Sequence, residues 1–140
     1  MAEGSRSLEV GVTMSFSGTK DATCYGCGPE NPLGLRVPFE RDGEKGGRAE
    51  YVARREHGGV TFSLMDEAFG WCLFFQDIPA VTAKIETRFH KPIQIGASLE
   101  VKAWVVRQRR KLFDARAEVR VGGELVAESD AVLCTVAVAR

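Results

Sequence analysis

One segment of the sequence, HGGVTFSLMDEAFGWCLFF at positions 57–75, places two adjacent acids in apolar surroundings. Asp66 and Glu67 are the only acidic residues in it, and no lysine or arginine accompanies them. A buried carboxylate is costly unless it is paired and hydrogen-bonded. Such an acid is therefore expected to stay neutral, to pair with a basic residue from elsewhere in the chain, or to perform chemistry. The residue types alone leave these three interpretations open.

The spacing around Asp66 indicates a second feature. On a helix, Gly59, Ser63, Asp66 and Gly70 are separated by four, three and four positions, so they form one continuous stripe. Asp66 is the only reactive side chain on this stripe, and Glu67 lies about 100° around the helix from it. A stripe of small residues allows a ligand or another backbone to approach closely, although it is equally typical of a plain helix–helix contact.

Two glycines stand where this helix is expected to begin. A helix N-terminus presents backbone N–H groups and a positive dipole end, and Gly58 and Gly59 carry no side chain that would block access. Donors aimed at a carbonyl oxygen on which charge develops form an oxyanion hole worth about 3 kcal/mol per donor. Gly59 and Asp66 are about 10 Å apart along the helix axis, too far to serve one carbonyl within one subunit. The spacing therefore predicts a site shared between two copies of the chain.

Hydrophobic periodicity predicts the elements that position these residues. The segment from Val60 to Phe75 is predicted to be a helix buried on most sides. Before it, the Asp-Gly pair in RDGEKGG predicts a hairpin whose returning strand runs from Arg48 to Ala53. After Pro79 the period changes to two in TAKIETRFHKP, SLEVKAWVV, LFDARAEVRV and a last strand from about Leu125 to Val138. This pattern predicts an antiparallel meander with one covered face and one solvated face.

The order of elements predicts an α+β fold in which an antiparallel sheet wraps around one long helix. In the strand after the helix, alternation places Ala83, Ile85, Thr87 and Phe89 on one face. A single sheet cannot cover a helix that is apolar on most sides, which predicts that the chain pairs with a copy of itself.

Length and composition limit the classes of function. The 140 residues contain 19 basic and 19 acidic side chains, a balance that argues against binding to nucleic acid or to an anionic membrane. No apolar run reaches the ~20 residues of a membrane span, and the start of the chain does not resemble a secretory signal. We expect a cytoplasmic protein with a flexible lead-in over residues 1–22 and a single domain over residues 23–140.

The one CxxC pair, Cys24 and Cys27, lies in CYGCGPENPLGL. A structural zinc site usually needs four ligands, and His57 and His90 do not have zinc-finger spacing to these cysteines. A thioredoxin-like pair would begin a helix, whereas this segment is rich in turn formers. We therefore expect reduced thiols in a loop and no metal, with a redox or metal protein as an alternative that a metal assay would decide.

The histidine-glycine-glycine motif at His57 carries a family resemblance. Together with Ser63, Leu64 and Asp66, nine residues after the histidine, it resembles the signature of hotdog-fold acyl-CoA thioesterases, in particular the phenylacetyl-CoA thioesterase branch. The resemblance runs from about Cys24 to Val138. It implies a hotdog fold that dimerises by joining its sheets, often pairing again into tetramers. It also implies hydrolysis of acyl-CoA thioesters with no cofactor, because coenzyme A is part of the substrate.

The resemblance further implies roles for individual residues. Asp66 would be the general base or nucleophile, and Thr82 would orient the attacking water or the carboxylate. The Gly59 N–H would polarise the thioester carbonyl. His57 and Gly58 would shape the loop beside the substrate.

The phosphates of coenzyme A require cations, and two basic segments are candidates. The first follows the helix and includes Arg88, Phe89 and His90, with Lys91 beside them. The second lies at a strand junction, where Arg110 resembles a basic family position and Arg109 replaces the glycine that usually precedes it. The alternative for the second segment is an ordinary solvated hairpin.

Two other functions remain open at this level. A non-catalytic acyl-CoA-binding module would share the fold, although the presence of both Asp66 and Thr82 argues against it. A hotdog dehydratase would need a histidine and an acid poised on the same substrate, and only His57 lies near Asp66 in the sequence.

Overall fold

The computed structural model of the chain describes residues 25, 26, 28, 30–54 and 58–136. The described part contains one helix and six strands, in the order β1 (Glu40–Asp42), β2 (Gly46–Val52), α1 (Gly58–Phe74), β3 (Ala80–Phe89), β4 (Ser98–Arg109), β5 (Leu112–Val121) and β6 (Glu124–Thr135). The predicted lead-in over residues 1–22 lies outside the described residues.

All neighbouring strands are antiparallel, in the spatial order β1-β2-β4-β5-β6-β3. Helix α1 connects β2 to β3 and contacts every strand from β2 to β6. The predicted α+β architecture, an antiparallel sheet around one long helix, is confirmed. The connection also places β3 at the far edge of the described sheet, where β6 is its one strand partner among the described residues.

Helix α1 begins two residues earlier than predicted, because Gly58 and Gly59 form part of its first turn. One side of the helix is buried against the sheet, through Thr61, Leu64, Met65, Ala68, Phe69, Cys72 and Leu73. These residues repeat at spacings of three and four, as expected for one helical face. The opposite side is open in the single chain, so the helix is less enclosed than its composition suggests.

The C-terminus of α1 is closed by a Schellman motif. Asp77 adopts a positive φ of 60°, and its N–H donates to the carbonyl oxygen of Phe74 at 2.9 Å. The Ile78 N–H donates to the Leu73 carbonyl oxygen at 3.0 Å. This geometry satisfies two of the last carbonyl groups and turns the chain toward β3.

The central strands confirm the alternation that the sequence predicts. In β4 and β5 the buried positions are Leu99, Val101, Ala103, Val105, Phe113, Ala115, Ala117 and Val119. The side chains between them lie on the outer face, where basic and acidic groups form ion pairs. The hydrophobic core therefore lies between α1 and the inner face of the sheet.

Strand β3 departs from the predicted alternation. Its pairing with β6 shifts between Thr82 and Lys84, so that Ala83 is an extra residue in a β-bulge. Ala80 and Ile85 both pack against the core although they are five residues apart, which an unbroken strand does not allow. The prediction that Ala83 shares the covered face is wrong, since the bulge leaves it exposed.

Candidate active site

The predicted pair Asp66 and Thr82 is in direct contact. The Thr82 hydroxyl donates to Asp66 Oδ1 at 2.9 Å. Asp66 is half-buried in the middle of α1, and Thr82 is exposed near the start of β3. The bulge at Ala83 makes this contact geometrically accessible, because it puts Thr82 on the same side of the strand as Ala80, facing the helix. The pair lies at the open edge of the sheet.

The small-residue stripe of α1 forms an open face around Asp66. Gly59 and Gly70 are exposed and Ser63 is half-buried. The Ser63 hydroxyl donates to the Gly59 carbonyl oxygen at 2.9 Å, which holds this side chain against the helix. A Cβ added at Gly70 would have no neighbour within 4 Å. The face is thus shallow and accessible in the single chain.

The adjacent acid, Glu67, has a different environment. Its Oε2 accepts a hydrogen bond from the Trp71 indole N–H at 2.9 Å. Its carboxylate also packs so closely against buried Gly26 that a Cβ at this glycine would overlap it. Glu67 therefore fastens the segment before β1 onto the helix, whereas Asp66 faces the open edge.

A groove of about 340 Å³ lies at the N-terminal end of α1. It is lined by Gly58, Thr61, Phe89, His90, Lys91, Pro92 and Ile93. Three of the predicted substrate-binding residues, Gly58, Phe89 and His90, therefore lie together. The ring of Phe89 lies 3.7 Å from the position that a Cβ on Gly58 would occupy, which is ordinary van der Waals contact, so Phe89 lies directly beside the start of the helix.

The imidazole of His90 lies beside an acid that the sequence did not indicate. His90 Nε2 is 2.6 Å from Oε2 of Glu128, a residue that is only 8% exposed. Hydrogen bonds from His90 and then from Arg116 lower the pKa of the Glu128 carboxyl to about 2. Arg88 lies 3.6 Å from the same carboxylate and 3.3 Å from Asp130. The sequence did not indicate Glu128 because this residue stands opposite Arg88 only once β3 and β6 are paired.

The second basic segment lies at the opposite end of β3. Arg109 holds Asp114 with two hydrogen bonds, of 2.6 Å and 2.9 Å, and lowers the pKa of that carboxyl. Arg110 is exposed in the turn with a φ of 57°. The turn lies near the start of β3, since the Thr135 N–H donates to the Lys111 carbonyl oxygen. Ten residues of strand span about 30 Å, so one chain does not bring Arg109 and Arg110 to the groove.

Three predicted residues, His57, Cys24 and Cys27, lie outside the described residues. Within the described ranges, no three His, Cys, Asp or Glu side chains are arranged to hold a metal ion. The one helix of that same part does not combine the length and the apolar character that a membrane span requires.

The antiparallel sheet wrapped around a single helix is the hotdog fold, which confirms the fold that the resemblance implied. The family model of the thioesterase superfamily matches residues 56–128, and the chain belongs to this family. This confirms the predicted family. The matched region spans α1 and ends within β6, so it includes Asp66, Thr82 and the groove.

Solved structures share this fold. An uncharacterised protein of Pyrococcus horikoshii is 26% identical, with a TM-score of 0.66 over 73% of this chain and 84% of its own. The E. coli PaaI protein from the phenylacetic acid degradation operon is 22% identical, with a TM-score of 0.68 over 74% and 81%. A hypothetical thioesterase of Streptococcus pneumoniae, solved with coenzyme A, is 16% identical, with a TM-score of 0.65 over 71% and 85%. None of the curated proteins searched matches this chain.

Proposed function

We propose that this protein hydrolyses acyl-CoA thioesters to free acid and coenzyme A, at sites shared between two copies of the chain. The observation that carries the proposal is the Asp66–Thr82 pair at the open edge of a thioesterase-superfamily fold. No cofactor is required, because the reaction consumes only the thioester and water. The coenzyme A in the S. pneumoniae structure supports the substrate class.

Asp66 is the proposed base or nucleophile. Its Oδ1 accepts the Thr82 hydrogen bond, which fixes the carboxylate and leaves Oδ2 to act on water or on the carbonyl carbon. In the direct route, the water oxygen bonds to the thioester carbon while its proton passes to Asp66. The C–S bond then breaks, and the coenzyme A thiolate takes up that proton. In the covalent route, an Asp66 oxygen bonds to the thioester carbon, the C–S bond breaks and the coenzyme A thiolate leaves. Water then hydrolyses the resulting anhydride, which releases the free acid, restores the Asp66 carboxylate and supplies the proton that the thiolate takes up.

The first turn of α1 supplies the proposed oxyanion hole. Gly59 is exposed at the positive end of the helix dipole, where its N–H would polarise the thioester carbonyl. His57 and Gly58 precede it and would shape the rim of the site.

Strand β3 is the proposed dimer interface between two copies of the chain. It is a ten-residue strand at the edge of the described sheet, with exposed Val81 and Phe89, and such an edge readily pairs with another strand. Antiparallel pairing about a twofold axis would place the Phe89 end of one copy against the Ala80 end of the other. The Gly59 of the second copy would then approach Asp66 of the first. A dimer, or a dimer of dimers, follows from this arrangement.

The same pairing would bring the two basic segments together. Arg88 and His90 lie at one end of β3, and Arg109 and Arg110 lie at the other. A site between copies would draw cations from both segments for the phosphates of coenzyme A. Most of these groups already contact acids, whereas the exposed Arg110 guanidinium has no ion-pair partner within the described ranges, which favours it as a phosphate contact.

The test is thiol release from a panel of acyl-CoAs by the wild type, Asp66→Asn and Asp66→Ala. Asp42→Asn serves as the matched control, because it removes an exposed aspartate from β1, at the edge of the described sheet opposite β3. We expect turnover by the wild type and the control and a loss of at least about a hundredfold in both Asp66 variants. Binding without turnover of any substrate would identify a non-catalytic acyl-CoA-binding module instead.

A further inference from the structure

One polar group in the groove is not explained by the proposed catalytic steps. Thr61 is 6% exposed, lies in the first turns of α1 and lines the groove. No atom of the described residues forms a hydrogen bond with its hydroxyl. Threonine in a helix often donates to the carbonyl three or four residues earlier, as Ser63 does to Gly59 here.

The other buried polar side chains of the described part are all satisfied. The Ser129 hydroxyl lies 2.7 Å from that of Thr87 and 3.2 Å from the Met65 sulfur. Glu128 contacts His90 and Arg116. A buried polar group without a partner is uncommon in native proteins, and each instance needs an explanation. A ligand that fills the groove would explain Thr61, because it would provide the hydrogen-bond partner for the hydroxyl.

The rest of the groove is consistent with a ligand that carries an oxygen atom. Phe89, Pro92 and Ile93 provide an apolar wall, while Lys91 and His90 contact Glu124 and Glu128. Most ligand sites have this composition, a largely apolar lining with few polar groups that fix orientation. Thr61 is the polar side chain of this lining that has no hydrogen-bond partner among the described residues, and its hydroxyl can donate to a carbonyl or accept from a hydroxyl.

We propose that the Thr61 hydroxyl hydrogen-bonds an oxygen atom of the bound acyl-CoA and so contributes to its selection. The inference rests on the proposed function, because it takes an acyl-CoA as the ligand. Two parts of that substrate carry suitable oxygens. One is a hydroxyl or keto group on the acyl chain, and the other is an amide carbonyl of the pantetheine arm.

The decisive variant is Thr61→Val, which keeps the shape of the side chain and removes only the hydroxyl. Since this hydroxyl has no hydrogen-bond partner among the described residues, the free variant is expected to melt no lower than the wild type. Thr61→Ser, which keeps the hydroxyl, is the matched control and should restore binding. A clear drop in the Tm of Thr61→Val would indicate a structural hydrogen bond and overturn the proposal.

Binding and turnover are then measured with acyl-CoAs of equal chain length, with and without one hydroxyl at successive positions, and with coenzyme A itself. If the acyl group supplies the oxygen, Thr61→Val should lose roughly tenfold or more in kcat/KM for one hydroxylated substrate, with its plain counterpart unchanged. If the pantetheine arm supplies the oxygen, the affinity of Thr61→Val for every substrate and for coenzyme A itself should fall by the same factor. No difference between variant and wild type for any probe would overturn the proposal.

Direct binding separates this inference from the proposed function. If the wild type releases no thiol, the hydrolase function fails, but calorimetric titration with the same acyl-CoAs still tests Thr61. A weaker affinity of Thr61→Val than of Thr61→Ser would then support the inference. Equal affinities, or no binding by any of the three proteins, would refute it.

Discussion

The Thr82 hydroxyl reaches Asp66 Oδ1, at 2.9 Å, from a strand whose simple alternation would point it away from the helix. Ile85 faces the core, so an unbroken strand would put Thr82 and Lys84 on the outer face. The extra residue at Ala83 reverses that orientation. A β-bulge often re-aims a side chain beside a functional site, and this one brings the hydroxyl to the carboxylate.

Replacing Thr82 by valine should therefore impair catalysis. Hydrogen bonds to charged groups are worth about 1.5–3 kcal/mol, so we expect kcat to fall by about ten- to a hundredfold with a smaller change in KM. Steady-state thiol release measures both constants. Thr82→Ser, which keeps the donor, should remain close to the wild-type rate.

A double variant tests whether the position of the threonine in β3, and not only its presence, is required for activity. Thr82→Ala combined with Ala83→Thr keeps one threonine but moves its hydroxyl to the exposed bulge position, so activity should stay low. Wild-type activity in this double variant would show that the bulge does not determine which residue faces Asp66.

The sequence predicted the elements that repeat and missed the features that depend on pairing between distant strands. The alternation of buried and less buried positions runs from Leu99 to Val105 in β4 and from Phe113 to Val119 in β5, and the structure follows it there. The bulge at Ala83 adds one residue to a strand in which alanine suits either face, so no periodicity reveals it. Glu128 is a similar case, because its contact with His90 requires the register between β3 and β6. Strands β3 and β6 are not consecutive in the chain, so no turn between them sets that register.

The end of α1 offers a prediction about stability. Asp77 occupies the left-handed position of the Schellman motif, with a φ of 60°, and its negative charge lies at the negative end of the helix dipole. Glycine adopts this conformation without a Cβ clash, so Asp77→Gly should raise the free energy of unfolding by about 1 kcal/mol. Urea denaturation monitored by circular dichroism measures it. Asp77→Asn removes only the charge and should give a smaller gain, and a destabilised Asp77→Gly would contradict the capping assignment.

The low pKa of Glu128 leads to a prediction about how the stability of the fold changes at acidic pH. Its carboxyl has a pKa of about 2 in the folded chain, below the value of about 4.3 that is typical of an unfolded glutamate. The contacts with His90 and Arg116 therefore contribute fully above pH ~4.3, and this contribution is lost as the pH falls toward 2. Wild-type stability should decline more steeply across this window than that of Glu128→Gln.

Urea denaturation at a series of pH values checks this prediction. Glu44→Gln is a suitable control, because Glu44 is exposed in the turn between β1 and β2. Parallel pH profiles for the wild type and Glu128→Gln would mean that the low pKa of Glu128 does not stabilise the fold.

Mixing two inactive variants tests whether the site is shared between copies. Gly59→Pro removes the N–H of the first helical turn, where proline is tolerated, and Asp66→Ala removes the carboxylate. Each variant alone should be inactive, and each should remain a dimer. In a mixed dimer, one of the two shared sites combines an intact Gly59 with an intact Asp66.

Random assortment makes half of the dimers mixed, so the mixture should recover about a quarter of the wild-type activity. Two affinity tags, one on each variant, establish that mixed dimers form, and Gly59→Ala is the control that keeps the N–H. Activity should appear only in the doubly tagged fraction. Mixed dimers without activity would show that Gly59 and Asp66 do not act together across the β3 edge, because a site built within one chain cannot be repaired by its neighbour.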